Sequence, residues 1–212
     1  MGRAAEPDPR MENLYLIVGL GNPGADYSRT RHNAGFLVVE TLGSRWKTDW
    51  RLEKKFGARL ARAERSSVKV VLAEPQTFMN CSGESVGALL TFYRAAVERL
   101  LVIVDDADLP LGQLRMRPAG SSGGHHGLES IEKHLGTREY ARLRVGIGRQ
   151  GTVREITNHV LGRFSSTEFE LVDKVLARAA DQVESWLRDG IQTAMSQFNG
   201  AVVDPANEGK EQ

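Results

Sequence analysis

Leu100-Leu101-Val102-Ile103-Val104 is the most apolar run in the chain, and Asp105-Asp106 follow it at once. A run with no polar alternation has no face to offer water, so it reads as a central strand of a parallel sheet, covered on both sides. Helices must supply that cover. The rest of the chain alternates in the matching way. Leu14 to Val18 is a second buried strand, stopping at Gly19. Gly35 to Trp46 places Phe36, Val39, Leu42 and Trp46 at helical spacing. Phe56 to Ala63 and Val68 to Ala73 read as strands of a hairpin turning at Arg65-Ser66-Ser67. A helix opens at Ser82 or Gly83, and Gln113 to Arg117 and Leu143 to Ile147 are further strands. A short helix carries Leu128, Ile131 and Leu135. A long amphipathic one runs from Thr167 to Leu187, stops at Gly190 and is followed by a short last helix. The expected fold is α/β: a single-domain three-layer α/β/α sandwich around a mixed, mostly parallel twisted sheet.

With 212 residues there is room for one substantial core and not for two. Residues 1–12 read as a disordered N-terminal extension, 13–200 as the catalytic domain and 201–212 as a polar tail. No apolar stretch approaches bilayer length and nothing resembles a signal peptide. The one cysteine, Cys81, has no internal partner, as expected in a reducing compartment. We therefore expect a cytoplasmic protein, and a monomer. Net charge is only +1, so a nucleic-acid surface would have to come from local clustering. Arg115, Arg117, Arg138, Arg142, Arg144, Arg149 and Arg154 do cluster along the chain.

Gly19-x-Gly21-x-x-Gly24 after a strand fits the dinucleotide-binding fingerprint literally. Its context argues against that reading. Pro23 and the polar run Asp26 to Asn33 delay the helix, and no acidic residue ends a second strand where the ribose would need one. A strand-to-loop turn that aims Asn22 into the cleft beyond the strand ends fits better. No cofactor is expected. Adjacent His125 and His126 suggest a metal, but neighbouring side chains at a helix start point apart and no zinc-type spacing accompanies them. We expect no metal, and read Gly120 to Gly127 as a hinged lid loop entering a helix, whose backbone N–H groups meet substrate.

His32 lies in a polar loop just before a helix, and Asp105 at the end of the most buried strand. A carboxylate there is costly unless it is paired. If Asp105 accepts from one nitrogen of His32, the other nitrogen is left to take a proton from water. The stretches around Asn22, His32 and Asp105 carry no serine or cysteine nucleophile, so direct attack by water is expected. Asn80 could orient that water or donate to a developing oxyanion; its alternative is to cap the helix near Ser82. Phe78 and Met79 are either an apolar shelf for substrate or plain core.

Taken together these segments resemble the bacterial-type peptidyl-tRNA hydrolase family. The resemblance runs from about Leu14 to Phe198. It rests on Gly19-Leu20-Gly21-Asn22-Pro23-Gly24, on Tyr27 with Thr30-Arg31-His32-Asn33-Ala34-Gly35, and on Pro75-x-Thr77-Phe78-Met79-Asn80-x-Ser82-Gly83. Asp105-Asp106-x-Asp108-Leu109-Pro110, the glycine-rich loop and Leu143-Arg144-Val145-Gly146-Ile147-Gly148 complete it. It implies hydrolysis of the ester linking a peptide to the terminal ribose of tRNA, with peptidyl-tRNA as the partner and no obligate protein partner. It implies that His32 is the base and Asp105 its partner. Asn22 and Asn80 then contact the peptide, and Asn22 helps reject free aminoacyl-tRNA. Tyr27 and Phe78 become further substrate contacts, and Arg117 and Arg144 lie near the tRNA phosphates. Arg115 and Arg149 join these two from charge clustering alone. The family usually has asparagine where this chain has His126, also a substrate contact by the resemblance, so activity with an altered rate or pH dependence is expected. The other function class is an RNA-binding protein on the same fold with reduced or lost chemistry. The complete polar set His32, Asp105, Asn22 and Asn80 favours the enzyme, because binding alone does not need it.

Overall fold

The apolar run Leu100 to Val104 lies in the middle of the sheet, and all of it is buried. A computed structural model describes residues 13–148 and 159–202. The expectations for residues 1–12, for Arg149 and Arg154, and for the tail beyond Val202 lie outside the described residues. Eight strands form one sheet in the order β2-β3-β4-β1-β5-β7-β6-β8. They are β1 (Leu14–Gly19), β2 (Arg51–Glu53), β3 (Ala58–Arg65), β4 (Val68–Pro75), β5 (Leu100–Asp106), β6 (Gln113–Arg117), β7 (Ala141–Gly146) and β8 (Gly200–Ala201). The central four, β4-β1-β5-β7, run parallel, and the flanking pairs are antiparallel. The two-residue β8 and three-residue β2 carry no pattern from which they could be read. β8 also extends the sheet into Ala201, the first residue assigned to the tail.

Alternate residues of the central strands feed two separate cores. Ile17, Leu101 and Ile103 face one side and pack with α1 (Ala34–Trp46) and the long helix α4 (Phe169–Asp189). Leu16, Val18, Leu100, Val102 and Val104 face the other and pack with α2 (Ser82–Tyr93) and α3 (His126–Leu135). A short α5 (Ile191–Phe198) adds Ala194 to the first core. Helices therefore cover both faces, which is the three-layer sandwich expected for strands buried on both sides. None of the described helices is long and apolar enough to cross a membrane.

The β3–β4 hairpin turns on Ser66 and Ser67, both with positive φ (49° and 63°). That is the primed geometry whose twist matches paired strands. The close contact that matters for the site is elsewhere. Gly19 ends β1, and a β-carbon on it would run into the carbonyl of Gly35 in the first turn of α1. One on Gly35 would in turn run into the Ile103 carbonyl and the Leu20 backbone. Leu20 N–H donates to Ile103 O at 2.9 Å, so the chain beyond β1 is held to β5 at this point. Helix, β1 and β5 touch here backbone to backbone.

Because the atoms in the way are backbone, Gly35→Ala should destabilise the fold by about 1–3 kcal/mol, the usual range for overpacking. Denaturant unfolding checks this, and an unchanged midpoint would show that α1 can lift off the strand ends at no cost.

Candidate active site

The first turn before α1 and the end of β5 meet over the sheet's C-terminal edge. His32 sits in a single 3₁₀ turn (Arg31–Asn33) that runs straight into α1. Its Nδ1 lies 2.9 Å from Asp105 Oδ1. Asp105 is 3% exposed, so its charge has almost no water to lean on. A second histidine shares the same oxygen: His125 Nε2 lies 3.1 Å from Asp105 Oδ1. The two imidazoles are 5.3 Å apart, centre to centre.

The neighbours of these groups fix where the protons sit. His125 is the N-cap of α3, and its Nδ1 accepts from the Leu128 N–H. Nε2 must then carry the hydrogen that faces Asp105. His32 likewise donates through Nδ1, which leaves Nε2 as its acceptor. Burial on its own would lower the His32 pKa, but the Asp105 charge and hydrogen bond outweigh it and hold the ring above its ordinary 6.5. Burial would raise the Asp105 carboxyl; the charge of His32 and the hydrogen bonds from both histidines prevail and hold it well below the usual carboxylate range. One ligand atom from each of His32, Asp105 and His125 lies within 4.8 Å of the other two, close enough for a metal ion to bridge. Both nitrogens already point at one oxygen, however, and the two hydrogen bonds account for the arrangement.

Asn22 is fixed by its own backbone. Asn33 brackets it, with Oδ1 accepting from Asn22 N–H at 2.9 Å and Nδ2 donating to Asn22 O at 3.0 Å. The Asn22 side chain accepts from the Met79 N–H at 2.9 Å through Oδ1. With Oδ1 so engaged, the amide N–H₂ is the end of the side chain left to donate. The same bond ties the Asn22 loop to the 3₁₀ turn Met79–Cys81 that carries Asn80. Asn80 is exposed and caps nothing, since the α2 N-cap is Cys81 and its side chain makes no capping bond. Phe78 is 63% exposed, while its neighbour Met79 is buried. Of the two, only Phe78 can serve as a shelf. Tyr27 is half-buried on the Asn22 loop.

A cleft of about 510 Å³ collects Asn22, His32, Asp105, His125, His126 and Arg144, with Val160 and Leu161 on its rim. Asn80, Phe78 and Tyr27 are not among its lining residues. The two adjacent histidines diverge: His125 turns in to Asp105, and His126 turns out to Glu129 Oε2 at 3.1 Å. The turn bearing His32 is anchored from a distance. Arg31 donates to the carbonyl of Arg163, forms a two-pronged pair with Glu168 at 2.9 and 2.7 Å, and stacks on Phe164.

The arginine cluster divides on inspection. Arg115, Arg117, Arg142 and Arg144 surround a second cavity of about 290 Å³. Arg117 is exposed and makes no ion pair among the described residues. Arg115 is half-exposed and bonds Asp106 at 3.0 Å. Arg142 is 1% exposed, stacked on Tyr140 and bound to the carbonyls of Ser121 and Arg138. Arg144 is largely buried and holds Asp106 and the Ser121 and Ser122 carbonyls. Spacing along the chain therefore overcounts the cations free to meet an anion. It also misses two residues of the site. Asn33 looks like a helix start, and His125 is hidden beside a second histidine; the one signal for His125 was its place at a helix N-terminus, where a cap is expected.

Comparison with known proteins places the chain in a family. The family model described as peptidyl-tRNA hydrolase matches residues 16–207. The peptidyl-tRNA hydrolase of Gloeobacter violaceus is 44% identical over 196 residues, covering 91% of this chain and 99% of that one. That of Geobacillus kaustophilus is 45% identical over 186 residues, covering 88% and 100%. The crystal structure of peptidyl-tRNA hydrolase from Acinetobacter baumannii superposes with a TM-score of 0.85 at 38% identity, covering 90% of this chain and 97% of its own. With matches that span nearly the whole globular chain in sequence and in structure, this protein belongs to the peptidyl-tRNA hydrolase family.

Proposed function

We propose that the protein hydrolyses the ester bond between a peptide, or any N-acylated amino acid, and tRNA, recycling peptidyl-tRNA released from ribosomes before termination. The observation that carries this reading is the buried Asp105 oxygen shared by His32 and His125 in a cleft that also contains Asn22. His32 Nε2 removes a proton from water as the water oxygen attacks the ester carbonyl. Asp105 steadies the imidazolium so formed. Amide N–H groups of Asn80 and Asn22 donate to the oxygens of the substrate, including the one that becomes negative in the tetrahedral intermediate. The intermediate collapses with loss of the ribose oxygen, which takes the proton back from His32 or from water. The products are a peptide carboxylate and tRNA with a free hydroxyl.

Asn22 also supports a preference for acylated substrate. Its remaining amide N–H₂ is a donor, which suits the carbonyl of an N-acyl group. A free α-ammonium carries only donors and finds no partner there. Tyr27 and Phe78 are assigned to the peptide, and His126 to the rim where it meets the acceptor end. Arg117 and Arg115 are assigned to phosphates, because their forks are accessible. Arg144 lies on the floor of the same cavity and has the fewest N–H groups left to give. We place the reaction in the cytoplasm, and assign it to a monomer that needs no cofactor, metal or obligate protein partner.

General-base help is typically worth about 10²–10⁴ in rate. His32→Ala should lose that much in kcat on N-acetyl-aminoacyl-tRNA while its affinity for tRNA stays within twofold. A wild type that folds and binds tRNA but releases no N-acetyl-amino acid would favour the RNA-binding reading instead.

The pH dependence has a definite sign. The base must be neutral, and His32 titrates above 6.5, so kcat/KM should rise through a pKa above that value and fall on the acid side. The stability contribution runs the other way. The charged pair is fully formed below the unfolded pKa of 6.5 and is lost as pH rises through the folded one. A pH–rate profile with its acid limb at or below 6.5 would contradict the assignment.

Arg117→Ala should weaken tRNA binding and reduce the slope of log K against log salt by about 0.7–0.9 for one lost phosphate contact. An unchanged slope, measured by titrating tRNA at several salt concentrations, would remove Arg117 from the phosphate site.

A further inference from the structure

Two consecutive aspartates end β5, and the mechanism uses only the first. Asp106 is 7% exposed, and its carboxylate is fully engaged. Oδ1 accepts from the Asp108 N–H at 2.9 Å. Oδ2 accepts from Arg115 at 3.0 Å and from Arg144 at 3.2 Å. Arg115 and Arg144 are directly opposite each other on β6 and β7, an arrangement of like charges that destabilises a strand pair unless something sits between them. Asp106 reaches across from β5 and binds both. Arg144 continues the chain of contacts. Its Nη2 donates to the Ser121 and Ser122 carbonyls, each at 2.9 Å.

These contacts close a ring. The glycine-rich loop is held at Ser121 and Ser122 by Arg144, and so by Asp106. A few residues on, it is held at His125 by Asp105. Gly123 and Gly124 both have positive φ (63° and 81°), so the segment between the two holds lacks the stiffness of ordinary residues. Without Arg144, the Ser121 end would keep only the longer 3.3 Å bond from Arg142, and the position of the His125 ring would rest mainly on its N-cap bond and on Asp105.

We infer that Asp106 is a positioning residue: through Arg144 it clamps the Ser121–Ser122 end of the loop, and the clamp sets where His125 meets the catalytic carboxylate. Neighbouring aspartates then divide the work, one holding the base and the other the loop that completes the dyad's surroundings. The activity part of this inference rests on the proposed hydrolase function; the loop part does not.

The test compares the full-length wild type with Asp106→Asn, Arg144→Met, the double variant and Arg115→Ala. Asparagine can keep its oxygen on the Asp108 N–H while turning an amide N–H₂ toward the guanidinium groups. Amide hydrogen exchange at Gly124 and His125 should quicken at least fivefold in Asp106→Asn and in Arg144→Met. In Arg115→Ala, which touches Asp106 but not the loop, it should stay at the wild-type rate. With saturating N-acetyl-aminoacyl-tRNA in single turnover, the first two variants should each lose several-fold in rate, and the double variant should be no slower than the slower single. Unchanged exchange in Asp106→Asn at an unchanged melting temperature would overturn the inference, as would losses that multiply in the double variant. Arg144→Met carries the test if Asp106→Asn does not fold. If the wild type releases no N-acetyl-amino acid, the hydrolase reading fails and the exchange rates still decide the clamp.

Discussion

The site depends on one close approach. The first turn of α1 packs against the end of β1 and the middle of β5 so tightly that Gly19 and Gly35 leave no room for a β-carbon on either side. Three consequences follow from that contact. The 3₁₀ turn before α1 is pressed over the edge of the sheet, which brings His32 above the end of β5. The loop leaving β1 turns outward at once, carrying Asn22. Asn33, the last residue before the helix, is then near enough to bracket Asn22 with both ends of its amide. A looser helix–sheet contact would leave His32, Asp105 and Asn22 on the same elements but out of reach of one another.

What the contact assembles is an electrostatic arrangement with little slack. A carboxylate at 3% exposure has lost most of its hydration, and two N–H donors on one oxygen replace it. This settles the orientation of both rings before substrate arrives, because each ring has its other nitrogen assigned by a neighbour or left for the cleft. The cost of burying the charge is thus turned into orientation. Asp106, next along the strand, faces a different set of groups because successive side chains leave opposite faces of a strand. One strand end can therefore serve two neighbours without the two carboxylates competing.

Much of this was legible in the sequence, for reasons that differ by element. β5 was readable because a run without polar alternation has one physical meaning, and β6 was readable because Leu114 and Met116 alternate with Arg115 and Arg117. α4 gave itself away through an apolar stripe of Val172, Val175, Ala179 and Val183. His32 and Asp105 could be paired because a buried carboxylate needs a partner. Other features left no local trace. β2 and β8 are too short to show a period. Asn33 acts on the backbone of a residue eleven positions earlier, a role that composition does not encode. Arg142 and Arg144 look like surface charge in one dimension. They become interior and loop-holding groups once β7 is placed inside the sheet, between β5 and β6. The His125 role needed the third dimension too, since only the fold shows that its ring and that of His32 converge on one oxygen.

The anchoring of Arg31 has a consequence for how the molecule comes to exist. The residue beside His32 is tied to Arg163 and Glu168, more than 130 positions later in the chain. The segment with His32 is thus synthesised well before its anchor. Strands and glycine contacts can form as the chain emerges, but the turn holding His32 is not locked until translation has passed Glu168. The anchor of the His32 turn is therefore a late, long-range contact, added to a sheet and a helix–strand contact that can already be in place.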